Sequence, residues 1–271
     1  MSKINLDQYF TSKETAEYCF NKAIEIIGKE NITEFIETSA GEGVFLDCIE
    51  KFTPEIPYQA YDIDKKDKRV VEQDYLTLDL EYKEGRCIIG NPPFGFMTKL
   101  AIQFFNKSVK FGDYIVFILP ISFKDNVKQA YKYDLIHSDN LGLQIYSDRD
   151  IHCCLNIYKR PINGLNSQVI NKFKLKKDVK ITEIRQGNKI CKDYDYAICS
   201  WGSVGKIITR PNERQFAKEF YIKINNVKYK NEVLKLMNGA DWVKLYNLQP
   251  TYNLLQWQVY KYLKECIPEL E

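Results

Sequence analysis

One short loop could hold a planar base that carries an amino group: Asn91-Pro92-Pro93-Phe94. It follows the apolar run 87–90, and its two prolines cannot continue a strand because they lack the N–H donor and have a fixed φ. The chain must leave the sheet here, at the carboxyl end of a strand, where α/β sheets place their chemistry. The Asn91 side-chain oxygen and the Pro92 carbonyl are acceptors, and Phe94 supplies a flat ring. This combination suits an exocyclic amino group.

A second segment, Glu37–Gly43, follows a short apolar strand and leads into a helix. Gly41 and Gly43 permit backbone torsions and a close approach that a Cβ would block. A ligand could therefore lie over this turn, near the N-terminus of the helix. The third glycine of the dinucleotide pattern is absent, which disfavours a pyrophosphate. The turn suits a ligand without phosphates.

Acidic residues end the next two predicted strands. Asp62 closes the strand 57–62, and a carboxylate in that place can accept hydrogen bonds from both ribose hydroxyls. Asp74 lies near the end of a shorter predicted strand, 70–76. The charged run Lys65–Arg69 predicts the start of an exposed helix.

These segments need a scaffold, and strands that alternate with helices predict a doubly wound, mostly parallel α/β sheet. Apolar residues at helical spacing predict helices over Lys13–Gly28 and Thr98–Val109, with a polar helix near Asn126–Tyr133. The continuous apolar run 114–119 predicts a central buried strand. Two further strands are expected at Leu141–Tyr146 and His152–Tyr158.

The pattern changes after residue 160, which predicts a core at 1–160 and a small α+β accessory region at 161–271. The accessory region contains basic segments, a glycine-rich bend within 197–208 and a final helical pattern at 252–266. A target-recognition role would use such basic residues on phosphates, although an ordinary solvated surface is the alternative. The candidates for nucleic-acid contact are Phe96, Phe123, Trp201, Lys206, Arg210 and Arg214.

Composition limits the classes of protein. At 271 residues, with 45% hydrophobic and 14% aromatic residues, the chain is not disordered. Its net charge of +3 means that any basic surface must be local. The sequence has eight cysteines and two histidines, but no Cys-x-x-Cys pair and no spacing typical of zinc ligands, so no metal is expected. Cysteines without a disulfide pattern favour a reduced, cytosolic setting. The sequence has no targeting segment and no run of membrane-spanning length.

About the first 160 residues resemble the N6-adenine methyltransferases of the class I, S-adenosylmethionine-dependent fold. Asn91–Phe94 resembles their catalytic signature, and Glu37–Gly43 their first cofactor motif, although Thr38 stands where a proline is more usual. Asp62 matches the ribose-binding acid, and Asp74 the residue that faces the adenine of the cofactor. Tyr9-Phe10-Thr11 is similar to the N-terminal motif that folds over the methionine part of the cofactor.

The resemblance implies a site-specific enzyme, typical of restriction-modification systems, that methylates N6 of adenine in DNA. The target base would be flipped out of the duplex and stacked on Phe94, beside Asn91, Pro92 and Pro93. A second copy of the chain or a partner subunit could help to hold the DNA. The residues implied in binding S-adenosylmethionine are Tyr9, Phe10, Thr11, Glu37, Ser39, Gly41, Gly43, Asp62, Ile63, Asp74, Tyr75 and Asn91.

Other substrates and one non-enzymatic role stay open. Similar loops serve methyltransferases that act on RNA adenines, and aromatic and basic residues suit either nucleic acid. Those that act on protein glutamines resemble this chain less, because they carry a helical N-terminal domain for which there is no room. A catalytically inactive fold that binds nucleic acid would not need Asn91, Asp62 and the Gly41–Gly43 turn together.

Overall fold

The computed structural model divides the chain into two compact units, Met1–Ile170 and Asn171–Glu271. Each unit has a sheet and a hydrophobic core of its own. The residues that the structure describes are 11–126, 128–146, 150–167, 175, 177–185, 191–209, 215–246 and 253–271.

One seven-stranded sheet forms the first unit. Its strands are β1 (Glu34–Glu37), β2 (Tyr58–Asp62), β3 (Val71–Glu72), β4 (Arg86–Gly90), β5 (Tyr114–Pro120), β6 (Asp134–Ile145) and β7 (Asp150–Lys159). Their order in space is β3-β2-β1-β4-β5-β7-β6, with parallel pairs from β3 to β5 and β7 antiparallel to both β5 and β6. The strand order reverses between β1 and β4, which confirms the predicted doubly wound, mostly parallel sheet.

The helices of the first unit are α1 (Lys13–Ile27), α2 (Val44–Phe52) and α3 (Lys99–Ser108). Helix α1 begins where the Ser12 hydroxyl accepts a hydrogen bond from the Thr15 N–H, and it ends at Gly28, whose φ is 84°. Its apolar residues are buried at one face, as their spacing predicts. The predictions for α1 and α3 are confirmed.

Two predicted helices are wrong for the described residues. In the run 65–69, the Asp67 carboxylate accepts hydrogen bonds from the backbone N–H and the Nε of Arg69, at 2.7 and 3.0 Å. Such local bonds compete with the helical backbone pattern. The described residues of 126–133 form turns and bends, and the buried Tyr133 donates its hydroxyl proton to the Gly112 carbonyl.

The last two predicted strands of this unit are present and pair antiparallel, but β6 begins at Asp134 rather than Leu141. Because β7 is antiparallel to both of its neighbours, β6 runs parallel to β5. The carboxyl end of β6 therefore lies at the same edge of the sheet as the carboxyl ends of β1, β2 and β4.

The second unit is a small α+β structure. Its antiparallel sheet has the order β8-β10-β9 and its strands are β8 (Val179–Arg185), β9 (Tyr196–Cys199) and β10 (Lys218–Ile224). Its helices are α4 (Lys230–Gly239), α5 (Trp242–Tyr246) and α6 (Gln256–Cys266). Within the ranges described for both units, no helix has the length and apolar character that a membrane crossing needs.

A buried ion pair joins β1 to β4 near the amino ends of the two strands. Arg86 Nε donates to Glu34 Oε2 at 2.6 Å, and the two side chains are 9% and 10% exposed. Arg86 also donates to the backbone carbonyls of Glu81 and Phe111. Burial raises the pKa of Glu34, but hydrogen bonds from Arg86 and Gln59 outweigh burial and hold the pKa below its usual range. The carboxylate is thus ionised inside the sheet.

We expect Arg86→Leu to destabilise the fold by about 3–5 kcal/mol, because the Glu34 carboxylate would stay buried without its partner. Urea unfolding at neutral pH measures the loss. Lys83→Leu is the matched control, since Lys83 Nζ lies 3.6 Å from the same carboxylate but its side chain is 44% exposed. Its loss should be at most about 1 kcal/mol. Equal unfolding midpoints for the two variants would contradict this prediction.

Candidate active site

Polar residues from three parallel strands meet at one edge of the sheet. In the register of the sheet, β1 lies between β2 and β4. Strand β1 ends at Glu37, β2 ends at Asp62 and β4 leads directly into Asn91. The carboxyl ends of parallel strands are the usual place for a ligand in open α/β sheets.

The glycine turn after β1 is bonded to the acid at the end of β2. The Gly41 N–H donates to Asp62 Oδ2 at 2.8 Å, and the Asp64 N–H donates to Asp62 Oδ1 at 2.8 Å. Gly43 has a φ of 82°, and a Cβ there would lie 2.7 Å from the Arg69 guanidinium. The positive φ at Gly43 therefore favours glycine, and any side chain there would also require Arg69 and Asp67 to move. The turn and the Asp62 carboxylate form one edge over which a ligand can lie.

Three separate segments fix Asn91, which is 7% exposed. Its Nδ2 donates to the Thr11 hydroxyl at 3.1 Å and to the Tyr146 hydroxyl at 3.4 Å. The Ser39 hydroxyl donates to the Asn91 backbone carbonyl at 3.1 Å. With Nδ2 directed at two hydroxyl oxygens, Oδ1 is the atom with which the side chain can accept a substrate hydrogen bond.

Tyr146 is a site residue that sequence reasoning missed. It directly follows β6, is 6% exposed, and its hydroxyl lies 3.6 Å from Cys153 Sγ. Burial raises the pKa of Tyr146 well above its usual value, so the phenol is neutral at physiological pH. The only signal in the sequence was its position at the end of a predicted strand.

The loop after β4 leaves the sheet as the two prolines require. The Phe94 carbonyl accepts hydrogen bonds from the N–H groups of Leu100 and Ala101, at 3.2 and 3.3 Å, which anchors the loop to α3. The Phe94 ring is 5% exposed and belongs to the hydrophobic core. Its role in stacking on a base stays a prediction, as do the catalytic roles of Pro92 and Pro93.

Glu37 is a buried acid with an unmet acceptor. It is 1% exposed, and its Oε1 accepts a hydrogen bond from the Ser39 N–H at 3.3 Å. Among the residues that the structure describes, neither Glu37 Oε2 nor the Thr38 hydroxyl has a hydrogen-bond partner. Burial raises the pKa of Glu37 well above its usual range. Buried polar atoms without a hydrogen-bond partner are rare, and these two lie at the carboxyl end of β1.

Four other predicted site residues belong to the first unit, and two of them are buried whereas two are exposed. Tyr75 and Phe123 are 1% and 2% exposed, and the Tyr75 hydroxyl is bonded to Ser108, so both side chains serve the core. Any ligand contact from Tyr75 is thus limited to its backbone. Asp74 and Ile63 are exposed, and their roles toward a cofactor stay predictions.

The remaining predicted residues belong to other parts of the chain. Trp201 and Lys206 lie in the second unit, and both are exposed. The Trp201 backbone pairs with Asn253 in an isolated bridge, and nucleic-acid contact by either residue stays a prediction. Outside the described residues lie Tyr9, Phe10, Arg210 and Arg214.

The cysteines form part of the packing. Six of the eight are buried. Burial raises the pKa of the Cys87 and Cys154 thiols, which makes them poor nucleophiles. Across the described ranges, no three His, Cys, Asp or Glu side chains gather in the way that metal ligands do.

Comparison with known proteins gives a class for part of the first unit. Residues 43–153 match a family model described as the EDM2 methyltransferase-like domain. This stretch is similar to methyltransferase-like domains. A curated relative, the ribosomal RNA small subunit methyltransferase A of Mesomycoplasma hyopneumoniae, is 29% identical over 107 residues, which cover 36% of this chain and 41% of the relative. The chain therefore matches about two fifths of the length of that protein.

Two solved structures are similar to part of the chain at low sequence identity. A Pyrococcus horikoshii protein proposed to be an RNA methyltransferase is 17% identical, with a TM-score of 0.47, over 60% of this chain and 91% of that chain. A Listeria monocytogenes protein proposed to be a class I S-adenosylmethionine-dependent methyltransferase is 12% identical, with a TM-score of 0.43, over 59% of this chain and 66% of that chain. These likenesses concern the fold alone.

We expect Glu37→Gln to stabilise the protein by an amount that grows with pH. An unfolded glutamic acid ionises at about pH 4.3, whereas the folded protein keeps the Glu37 proton because its pKa is raised. Below that pH both states carry the proton and the variant gains little. Above it only the unfolded wild type loses the proton, so wild-type stability falls toward the folded pKa while the amide is unaffected.

Calorimetric melting temperatures of wild type and variant, measured at several values from acid to mildly alkaline pH, check this prediction. Glu42→Gln is the control, since it makes the same chemical change at an exposed position of the same turn. A constant difference for Glu37→Gln would mean that Glu37 is ionised in the folded protein.

Proposed function

We propose that this protein transfers a methyl group from S-adenosylmethionine to the N6 amino group of adenine in DNA. The observation that carries the proposal is the hold on Asn91 at the carboxyl end of β4. Hydroxyl groups of Thr11, Tyr146 and Ser39 fix its side chain and its carbonyl beside the glycine turn. A rigid amide that is followed by two prolines offers acceptors in a fixed direction, which an amino-group methyltransferase requires.

The strand ends fit the cofactor that this reaction needs. Asp62 would accept hydrogen bonds from the ribose hydroxyls, and the Gly41–Gly43 turn permits the close approach of the nucleoside. The unmet oxygen of Glu37 and the Thr38 hydroxyl suit the amino and carboxylate groups of the methionine part. Gly90 keeps this space open, since a Cβ there would lie 2.5 Å from Glu37 Oε1. When bound, S-adenosylmethionine supplies a methyl group activated by its positively charged sulfur.

The loop residues would raise the reactivity of a weak nucleophile. The lone pair of adenine N6 is delocalised into the ring. Hydrogen bonds from the N6 protons to Asn91 Oδ1 and the Pro92 carbonyl draw the nitrogen toward tetrahedral geometry and stabilise the positive charge that develops on it. With the cofactor bound, the N6 lone pair would form the new N–C bond while the electrons of the broken C–S bond stay on sulfur. N6 would then release one proton to water. Fixed orientation supplies much of the remaining acceleration.

DNA is the first candidate substrate because Asn91–Phe94 and the cofactor segments resemble those of DNA N6-adenine methyltransferases. RNA is the second candidate, since the curated relative is named as a ribosomal RNA methyltransferase. Both reactions use the same loop on the same base. In a duplex the adenine must leave the stack to reach Asn91, whereas an unpaired adenine needs no such step.

The deciding experiment is an incubation with radiolabelled S-adenosylmethionine and equal masses of duplex DNA, single-stranded DNA and RNA, followed by nucleoside analysis. N6-methyladenine in DNA is the expected result, and sequencing the modified sites would give the target sequence. Label in RNA alone would mean that the same active site acts on RNA. Binding of the cofactor without label in any nucleic acid would overturn the proposal.

We expect Asn91→Ala to lower kcat by about 10²–10³-fold, because the variant lacks the acceptor that stabilises charge in the transition state. The dissociation constant for the cofactor, measured by calorimetry, should change little. Tyr146→Phe removes one of the two bonds to Nδ2 and should lose less, about tenfold. Full activity of Asn91→Ala would show that the catalytic assignment is wrong.

We expect Asp62→Ala to weaken binding of S-adenosylmethionine by about tenfold or more, because each hydrogen bond to a charged group contributes roughly 1.5–3 kcal/mol. Calorimetry measures the dissociation constant. Asp64→Ala is the matched control, since it removes a neighbouring acid that forms an ion pair with Lys66, at 3.5 Å. An unchanged dissociation constant for Asp62→Ala, or equal losses in both variants, would refute the ribose role.

A further inference from the structure

The segment directly after the proposed catalytic loop carries two large apolar side chains into solvent. Phe96 is 80% exposed and Met97 is 71% exposed. Lys99, the first residue of α3, is also exposed. Single exposed apolar residues are common, but two in succession beside a candidate active site need an explanation. We call Phe96 and Met97 the apolar tip.

The backbone of the apolar tip is held in an unusual conformation. Gly95, Met97 and Thr98 have φ values of 67°, 52° and 61°, and residues other than glycine rarely adopt such values. A Cβ at Gly95 would lie 2.7 Å from Leu100 Cβ, so the turn packs closely on α3. The Thr98 N–H donates to the Gly95 carbonyl at 3.2 Å and closes the turn. Strain of this kind persists where the surroundings enforce it, and it is concentrated at functional sites.

We propose that the apolar tip is a wedge that enters the base stack of duplex DNA when the target adenine rotates toward Asn91. Phenylalanine and methionine are among the side chains that proteins insert between base steps. The exposed ammonium of Lys99 suits a phosphate next to the point of insertion. This inference rests on the proposed function and adds the means by which the duplex is opened.

The reach of the chain agrees with this role. Phe96 follows Asn91 by five positions, and five extended residues span at most about 16–18 Å. Consecutive bases of one strand lie about 3.4 Å apart along the helix axis, so the tip can act only within a few base steps of the base at Asn91. A tip that is already fixed loses little conformational entropy on insertion, which favours binding.

A comparison of substrates tests the wedge. The Phe96→Ala, Met97→Ala double variant should lose about tenfold or more of kcat/KM on a matched duplex, where unstacking costs a few kcal/mol. On single-stranded DNA, and on a duplex in which the target adenine is a single-base bulge, the loss should be within about twofold, because little or no stacking has to be broken. Ile162→Ala is the control, since Ile162 is 99% exposed elsewhere on the first unit. It should change none of the three rates.

Equal losses on all three substrates would overturn the wedge in favour of a general binding contact, and full activity on the matched duplex would also overturn it. The wedge would also be overturned if the wild type methylated single-stranded DNA but not duplex DNA. Phe96→Leu is a conservative control, because it keeps a large apolar side chain at this position. It should retain most of the methylation rate on duplex DNA.

A binding measurement keeps the test independent of methyl transfer. By fluorescence anisotropy, the wild type should bind a duplex with an abasic gap at the target position about fivefold or more tightly than the intact duplex, since the gap removes the unstacking cost. The double variant should lose that preference. Equal binding of both duplexes by the wild type would overturn the wedge even if methyl transfer occurs. Absence of methyl transfer with a gap preference that depends on the tip would overturn only the proposed function.

Discussion

The parallel pairing of β1 with β4 is the contact on which the sheet and the candidate site both depend. Near its amino end β1 carries Glu34, whose carboxylate is ionised because Arg86 reaches it inside the sheet. Three residues later the same strand carries Glu37, which is as buried but has an oxygen that no described group binds. An acid that is paired with Arg86 holds two strands together, whereas a buried acid with one unbonded oxygen destabilises the free protein. In the proposed function, a ligand at the carboxyl edge would meet the Glu37 oxygen that no described group binds.

Asn91 depends on parts of the chain that are distant in sequence. Its Nδ2 is bonded to Thr11, 80 residues earlier, and to Tyr146, 55 residues later. The second bond exists because the antiparallel strand β7 returns the chain so that β6 runs parallel to β5 and ends at the same edge. The hairpin at the end of the sheet is therefore part of the candidate site. The two prolines after Asn91 determine that a loop forms here, but contacts from distant parts of the folded unit fix the Asn91 side chain.

The sequence predicted those features that short-range chemistry decides. Two prolines must end a strand, glycines must occupy a turn with positive φ, and strands alternating with helices must make a parallel sheet. All three expectations agree with the structure. The helix expected at Lys65–Arg69 is absent because Asp67 bonds to the backbone of Arg69, a competition that helical spacing does not reveal. The bond from Asn91 to Tyr146 could not be predicted, because it follows from strand order and not from any motif. The exposure of the apolar tip was equally hidden, since Phe96 and Met97 have the composition of a core.

The polarity of the proposed loop contacts limits what the site can select. Asn91 Oδ1 and the Pro92 carbonyl both accept hydrogen bonds, so they suit the N6 amino group of adenine and repel the keto oxygens of guanine and thymine. They do not by themselves separate adenine from cytosine, which also carries an exocyclic amino group. That distinction requires contacts to the ring edge or to flanking bases, and sequence is read from such base edges rather than from phosphates. A rigid loop that selects an amino group therefore needs a second set of contacts to select its target sequence.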